Sequence, residues 1–181
     1  IPYINAVGES DSMFSYLYKE KIIDVCLSDD MDILVSGCYQ MIKFDKGGII
    51  HYDLNNILSK LNLTYTRFVE MCVIFGCDYI KPIPKLNNNI IYQLIQTNMT
   101  FHEIIRFINR NHIEPKIKSL LLENPDITKN QLFSYYRDVE PYIRAKEIYI
   151  NSFKDEVIPE FNILDHSPQV ICLDELNLFK I

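Results

Sequence analysis

Carboxylates at three places in this 181-residue chain have the type and spacing that hold divalent cations. Glu9 and Asp11 stand one residue apart, Asp30 and Asp32 do the same, and Asp78 follows Gly76-Cys77. Each cluster comes just after an apolar stretch, at residues 1–7, 22–27 and 65–75. In an open α/β sheet, ligands gather outside the carboxyl ends of the strands. Two strands delivering paired acids to one edge crowd four carboxylates, which is unfavourable unless cations neutralise them. Hard ions with oxygen ligands, Mg2+ or Mn2+, suit that donor set. Two such ions about 4 Å apart clamp a phosphodiester, activating a water and stabilising the leaving oxygen.

Each piece also has a plainer reading. Glu9-Ser10-Asp11 alone fits a helix N-terminus, where Ser10 or Asp11 caps and negative charge meets the helix dipole. Asp29-Asp30-Met31-Asp32 fits a solvated acidic turn, or a DxD site for a metal and nucleotide-sugar. It is a poor EF-hand, because the glycine and the later acidic ligand are missing and a strand is expected directly after it. Asp78 alone fits a turn after a helix. The joint pattern is what points to metal chemistry.

The elements that must position these acids are α/β in the first third and helical afterwards. Residues 1–7 read as a strand ending at Gly8, 10–20 as a helix, and 22–27 as a β-rich run. Ile33-Leu34-Val35 leads to a turn at Ser36-Gly37. Residues 39–44 and 49–52 flank Asp45-Lys46-Gly47-Gly48 as a hairpin. Helices are expected at 54–61 and at 65–75, the latter capped by Thr64 and ended by Gly76. Further helices are expected at 89–96, 101–109, 112–122, 129–137 and 141–153, with a β-rich piece at 170–173.

Composition narrows the classes. Hydrophobic residues make up 48% and charged residues 23%, as in an ordinary globular domain. No apolar run reaches the length of about 18 residues that spans a bilayer. Cys26, Cys38, Cys72, Cys77 and Cys172 show no CxxC pairing or zinc-ligand spacing, which suits free thiols in a reducing, intracellular setting. The net charge of −6 speaks against a basic-patch nucleic-acid binder, so cations gripping phosphate would have to come partly from elsewhere.

Three segments in order resemble the flap endonuclease/XPG family of structure-specific 5′-nucleases. Ile1-Pro2-Tyr3-Ile4 through Gly8-Glu9-Ser10-Asp11 resembles its IPY…PGEAEA segment, and Leu27-Ser28-Asp29-Asp30-Met31-Asp32 its strand ending in TEDMD. Arg67-Phe68-Val69-Glu70-Met71-Cys72 through Phe75-Gly76-Cys77-Asp78-Tyr79 resembles QFVDLC…LGCDY. The match runs nearly without gaps over residues 1–80. It implies that Glu9 and Asp11 lie between two metals, that Asp30 and Asp32 hold the second, and that Asp78 supports it, often through water. Asp11 stands where most of the family has glutamate.

The resemblance implies part of a PIN-like parallel sheet with flanking helices, followed by a helix–hairpin–helix-type region. It divides the chain into residues 1–80 of nuclease core, a helical DNA-binding region at 81–140, and an extension at 141–181 packing back on the core. It implies hydrolysis of DNA near single-strand/duplex junctions, two Mg2+ or Mn2+ ions per complete site, and DNA, an upstream half of the same protein and a sliding clamp as partners. The implied place is the nucleus or a viral or cytoplasmic replication site. The family's GIGPK hairpin aligns with Lys85-Leu86-Asn87-Asn88-Asn89, where Lys85 and Asn87 replace its glycines. Asn tolerates the left-handed conformation, so the turn is expected to persist, with Lys85, Asn87, Asn88 and Asn89 near a phosphate and a potassium site less favoured. The chain opens without Met, and the family's other metal-binding aspartates and flap-threading arch lie upstream of the segment matching Ile1. It is therefore expected to be part of a longer protein and inactive alone. Two other readings stay open: a junction-binding scaffold of the same fold without activity, and a DxD glycosyltransferase.

Overall fold

The computed structural model describes residues 10–83, 86–113 and 139–151, together with Ala6, Pro115, Ser119 and Leu122. The expected strand at 1–7, Glu9, Lys85, Cys172, the helix at 129–137, most of that at 112–122 and the β-rich piece at 170–173 lie outside the described residues.

The first helix, α1 (Ser10–Lys19), buries Met13, Ser15 and Leu17. The apolar run after it pairs only at its end, as β1 (Cys26–Leu27). Ile33-Leu34-Val35 is not the expected strand. It forms a single helical turn, α2 (Asp32–Val35), with all three apolar side chains buried. Asp30 explains this locally, because its Oδ1 accepts from the Asp32 N–H at 2.9 Å and satisfies a free donor at the turn's start.

The hairpin forms as the alternation indicates, with β2 (Gln40–Asp45) antiparallel to β3 (Gly48–Asp53) and Asp45 opposite Gly48. The turn is therefore Lys46-Gly47, and Gly48 already belongs to the ladder at φ +132°. β1 lies parallel to β2, with Cys26 opposite Met41, so the order is β1-β2-β3. The sheet is thus mixed rather than purely parallel among the described residues. Cys26 of β1 and Cys38 just before β2 are buried as free thiols.

Helix α3 (Leu54–Leu61) starts at an Asp53 cap and stops at left-handed Asn62. Helix α4 (Tyr65–Phe75) starts at Thr64, whose side chain accepts from the Arg67 N–H, and ends at Gly76. α5 (Asn88–Ile95) and α6 (Phe101–Ile108) follow, the latter with a Thr100–Glu103 capping box and running into a π-helical turn (Asn109–Ile113). The last described helix, α7 (Glu140–Asn151), buries Tyr142, Ala145 and Tyr149 along one stripe and packs on α4. α4 is the hub of the core, touching α2, α5 and α7.

Gly76 is the joint that carries the third acid. Its φ is +109°, and a Cβ there would meet Pro82 Cδ at 2.7 Å. Both the backbone conformation and the close approach therefore require glycine. Gly76→Ala is expected to cost about 2–3 kcal/mol in urea unfolding. A loss within about 0.5 kcal/mol would show that the turn relaxes freely.

Candidate metal-binding site

Asp30 sits between β1 and α2 and Asp32 opens α2, as the strand-end reading requires. A chain of local bonds holds them: the Ser28 hydroxyl accepts from the Asp30 N–H at 3.0 Å, and Asp30 Oδ1 accepts from the Asp32 N–H. Lys43 on β2 donates to the Asp29 carbonyl at 2.9 Å and steadies the loop from the sheet side. Asp29 itself points outward, with 83% of its side chain exposed.

Asp78 arrives from the far side. Cys77 and Ile80 exchange backbone hydrogen bonds at 2.9 and 3.1 Å, so Asp78 and Tyr79 occupy the tip of a tight turn. The Asp78 charge and its backbone amide both act on the Asp32 carboxyl, the charge raising it and the amide lowering it, so the two acid-bearing segments lie near one another. Asp11 lies in the first turn of α1, where Ser10 Oγ donates to its Oδ1 at 3.4 Å. α1 packs on α2, and the charge of Asp11 reaches Cys26 on β1. Glu9 lies outside the described residues.

Asp32 is the electrostatic centre of this group. Burial pushes its carboxyl above the ordinary value of 3.8, and the charges of Asp30 and Asp78 push the same way. The Tyr149 hydroxyl, donating to Oδ2 at 2.6 Å, and the Asp78 N–H pull back. Nearby Cys72 offers no thiolate, because burial foremost and then the charge of Asp32 hold its thiol at about 12. The donors available are therefore carboxylate oxygens, which fit a hard cation and not a soft one. Among the described residues, no three Asp, Glu, His or Cys side chains converge into a complete metal cage. What they form is a group around Asp32, whose carboxyl is raised by burial and then by the charges of Asp30 and Asp78, the electrostatic condition that a cation relieves.

The nine sequence-derived residues thus separate into groups. Asp30, Asp32 and Asp78 come together, and Asp11 stands on the helix that packs beside α2. Asn87 departs from expectation: it is extended at φ −76°, ψ 129°, not left-handed, and caps α5 by accepting from the Asn89 N–H at 2.8 Å. Its side chain satisfies the helix start itself, so no left-handed turn is needed there. Asn88 and Asn89 are exposed in the first turn of α5, and Lys85 lies outside the described residues. Tyr149 is the residue that sequence reasoning missed. The only signal was the 142/145/149 spacing, which reads as plain core packing.

The model of the XPG I-region matches residues 1–78. Flap endonuclease 1 of Arthroderma otae is 27% identical over 157 residues, covering 83% of this chain and 35% of that protein. "Probable RAD2-like endonuclease 369L" of Invertebrate iridescent virus 6 is 30% identical over 147 residues, covering 75% of this chain and 34% of that one. The chain thus spans about a third of the length of these curated relatives. Among solved structures, the catalytic core of Rad2 in complex with DNA substrate superposes with a TM-score of 0.58. That likeness, at 22% identity, covers 87% of this chain and 51% of the Rad2 chain and concerns the fold. The mixed sheet with its helices thus has the PIN-like fold of the Rad2 core. Motif, order and fold converge: the chain belongs to the flap endonuclease/XPG family.

Proposed function

We propose that the complete protein is a metal-dependent structure-specific 5′-nuclease that hydrolyses DNA phosphodiesters near single-strand/duplex junctions. The observation carrying this reading is the approach of Asp30, Asp32 and Asp78 from two separate segments, with Asp32 raised by burial and then by the charges of the other two. Asp30 and Asp32 would hold one ion with Asp78 in support, and Asp11 and Glu9 would contribute to a second. When bound, such Mg2+ or Mn2+ ions supply Lewis acidity towards the phosphodiester and a water of lowered pKa. The chain's own part is to orient the carboxylates and to keep sulfur out of the donor set.

DNA is the proposed substrate, in keeping with the substrate named for the Rad2 core. Residues 1–80 serve as core, 81–140 as the DNA-gripping region and 141–181 as the closing extension. Asn87, Asn88 and Asn89, with Lys85, approach a backbone phosphate at the start of α5. An upstream half of the protein, and a sliding clamp, are the proposed partners, with the nucleus or a viral or cytoplasmic replication site as the setting. Among the described residues no helix is long and apolar enough to cross a membrane.

A magnesium-dependent assay on a 5′-flap duplex tests the reading. Asp30→Ala and Asp78→Ala in the complete protein should each lower cleavage by about a hundredfold or more. Undiminished cleavage in both variants would end the assignment. The second reading is a junction-binding scaffold of the same fold. Junction binding without turnover in Mg2+ or Mn2+ would favour it.

A further inference from the structure

We infer that Tyr149 is a positioning residue for Asp32, so that α7 helps to set the metal-binding geometry; this rests on the reading of Asp32 as a cation ligand. Tyr149 is 2% exposed and shares the buried stripe of α7 with Tyr142 and Ala145. Packing alone asks nothing of its hydroxyl, since phenylalanine would fill the same space. Yet the hydroxyl donates to Asp32 Oδ2 at 2.6 Å, the length of a charge-assisted O–H···O bond.

A further contact restricts that geometry. The Tyr149 ring meets Tyr79 edge-on, with centroids 5.4 Å apart, and Tyr79 shares the turn that carries Asp78. One side chain therefore touches both acid-bearing segments. One turn earlier on α7, Lys146 bonds to buried Glu70 of α4, which fixes the helix along its axis and keeps the phenol in place. A carboxylate held in this way presents its remaining lone pairs in a set direction, which is how outer partners raise the affinity of a metal ligand.

The rival roles are simple packing, and competition between the phenol and the cation for Oδ2. Mn2+ titration of the complete protein, followed by the EPR signal of the free ion, separates them. Tyr149→Phe keeps the volume, and a cooperative thermal melt would confirm its fold. It should weaken Mn2+ binding about tenfold or more, whereas Tyr142→Phe, on the same stripe, should leave binding unchanged. Binding by Tyr149→Phe within about twofold of wild type would overturn the inference in favour of packing. Tighter binding would overturn it in favour of competition. Asp32→Asn is the separate arm: if it leaves Mn2+ binding intact, the metal-site reading itself falls. If Asp32→Asn weakens binding and Tyr149→Phe does not, only the role of Tyr149 falls.

Discussion

Glu70→Ala is expected to destabilise the protein by about 3–5 kcal/mol, enough to unfold a marginal domain. Glu70 is 4% exposed on α4 and holds two cations at once. Arg67 Nη1 donates to its Oε2 at 2.8 Å, and Lys146 of α7 donates to its Oε1. Arg67 also donates through Nη2 to the carbonyls of Thr97 at 3.2 Å and Met99 at 2.7 Å, tying in the loop between α5 and α6. Lys146 Nζ further lies 5.3 Å from the centre of the Phe101 ring. Removing the carboxylate strands both cations against this apolar and carbonyl-lined surface. Their side chains retain 25% and 24% exposure, so water relieves part of the loss and the lower end of the range is expected. Glu70→Gln, which keeps volume and one acceptor, should lose less. Urea denaturation checks both, and a loss below about 1 kcal/mol for Glu70→Ala would mean the cluster is a surface-type network.

The second large effect concerns Asp32 and has opposite signs for activity and stability. Asp32→Asn should lower flap cleavage by about a thousandfold or more, since Lewis-acid stabilisation supplies several kcal/mol and each 1.4 is a factor of about ten. In metal-free protein the same change should raise stability by about 0.5–1 kcal/mol at neutral pH. The sign follows from linkage. Asp32's folded-state carboxyl is raised above 3.8, so the folded protein binds that proton more tightly than the unfolded chain. The resulting stability is full below the unfolded value and disappears as pH rises through the folded one. At neutral pH the ionised acid is thus a net burden without a cation, and asparagine removes it. Excess Mg2+ should reverse the order, because only the wild-type site gains binding energy on folding. Thermal melts in chelator and in Mg2+ check this; a less stable Asp32→Asn in chelator would contradict it.

Elements bounded by local chemistry were legible in the sequence. α3 and α4 form over the residues that periodicity and the Thr64 and Gly76 signals indicate, and the hairpin forms around its glycines. The strand-end placement of Asp30 and Asp32 was legible for the same reason. Ile33-Leu34-Val35 was not, because a three-residue β-branched and apolar run suits a buried helical turn as well as a strand. There the Asp30 carboxylate, accepting from the Asp32 N–H, decides. Asn87 was misread because alignment with a glycine suggested a left-handed turn, while its side chain caps α5 instead. Tyr149 was illegible in principle, since nothing local records that its hydroxyl meets an acid far away in the chain.

The bond between Tyr149 and Asp32 closes a loop of 117 residues. Synthesis is directional, and domains acquire structure as the chain emerges. Asp30, Asp32 and Asp78 therefore leave the ribosome well before α7 can dock upon them. Contacts of such long separation also form slowly, because loop closure precedes any stabilising contact. A nascent chain carries its acids without the phenol that meets Asp32, so the order of translation makes the finished arrangement of these acids a late event in the protein's birth.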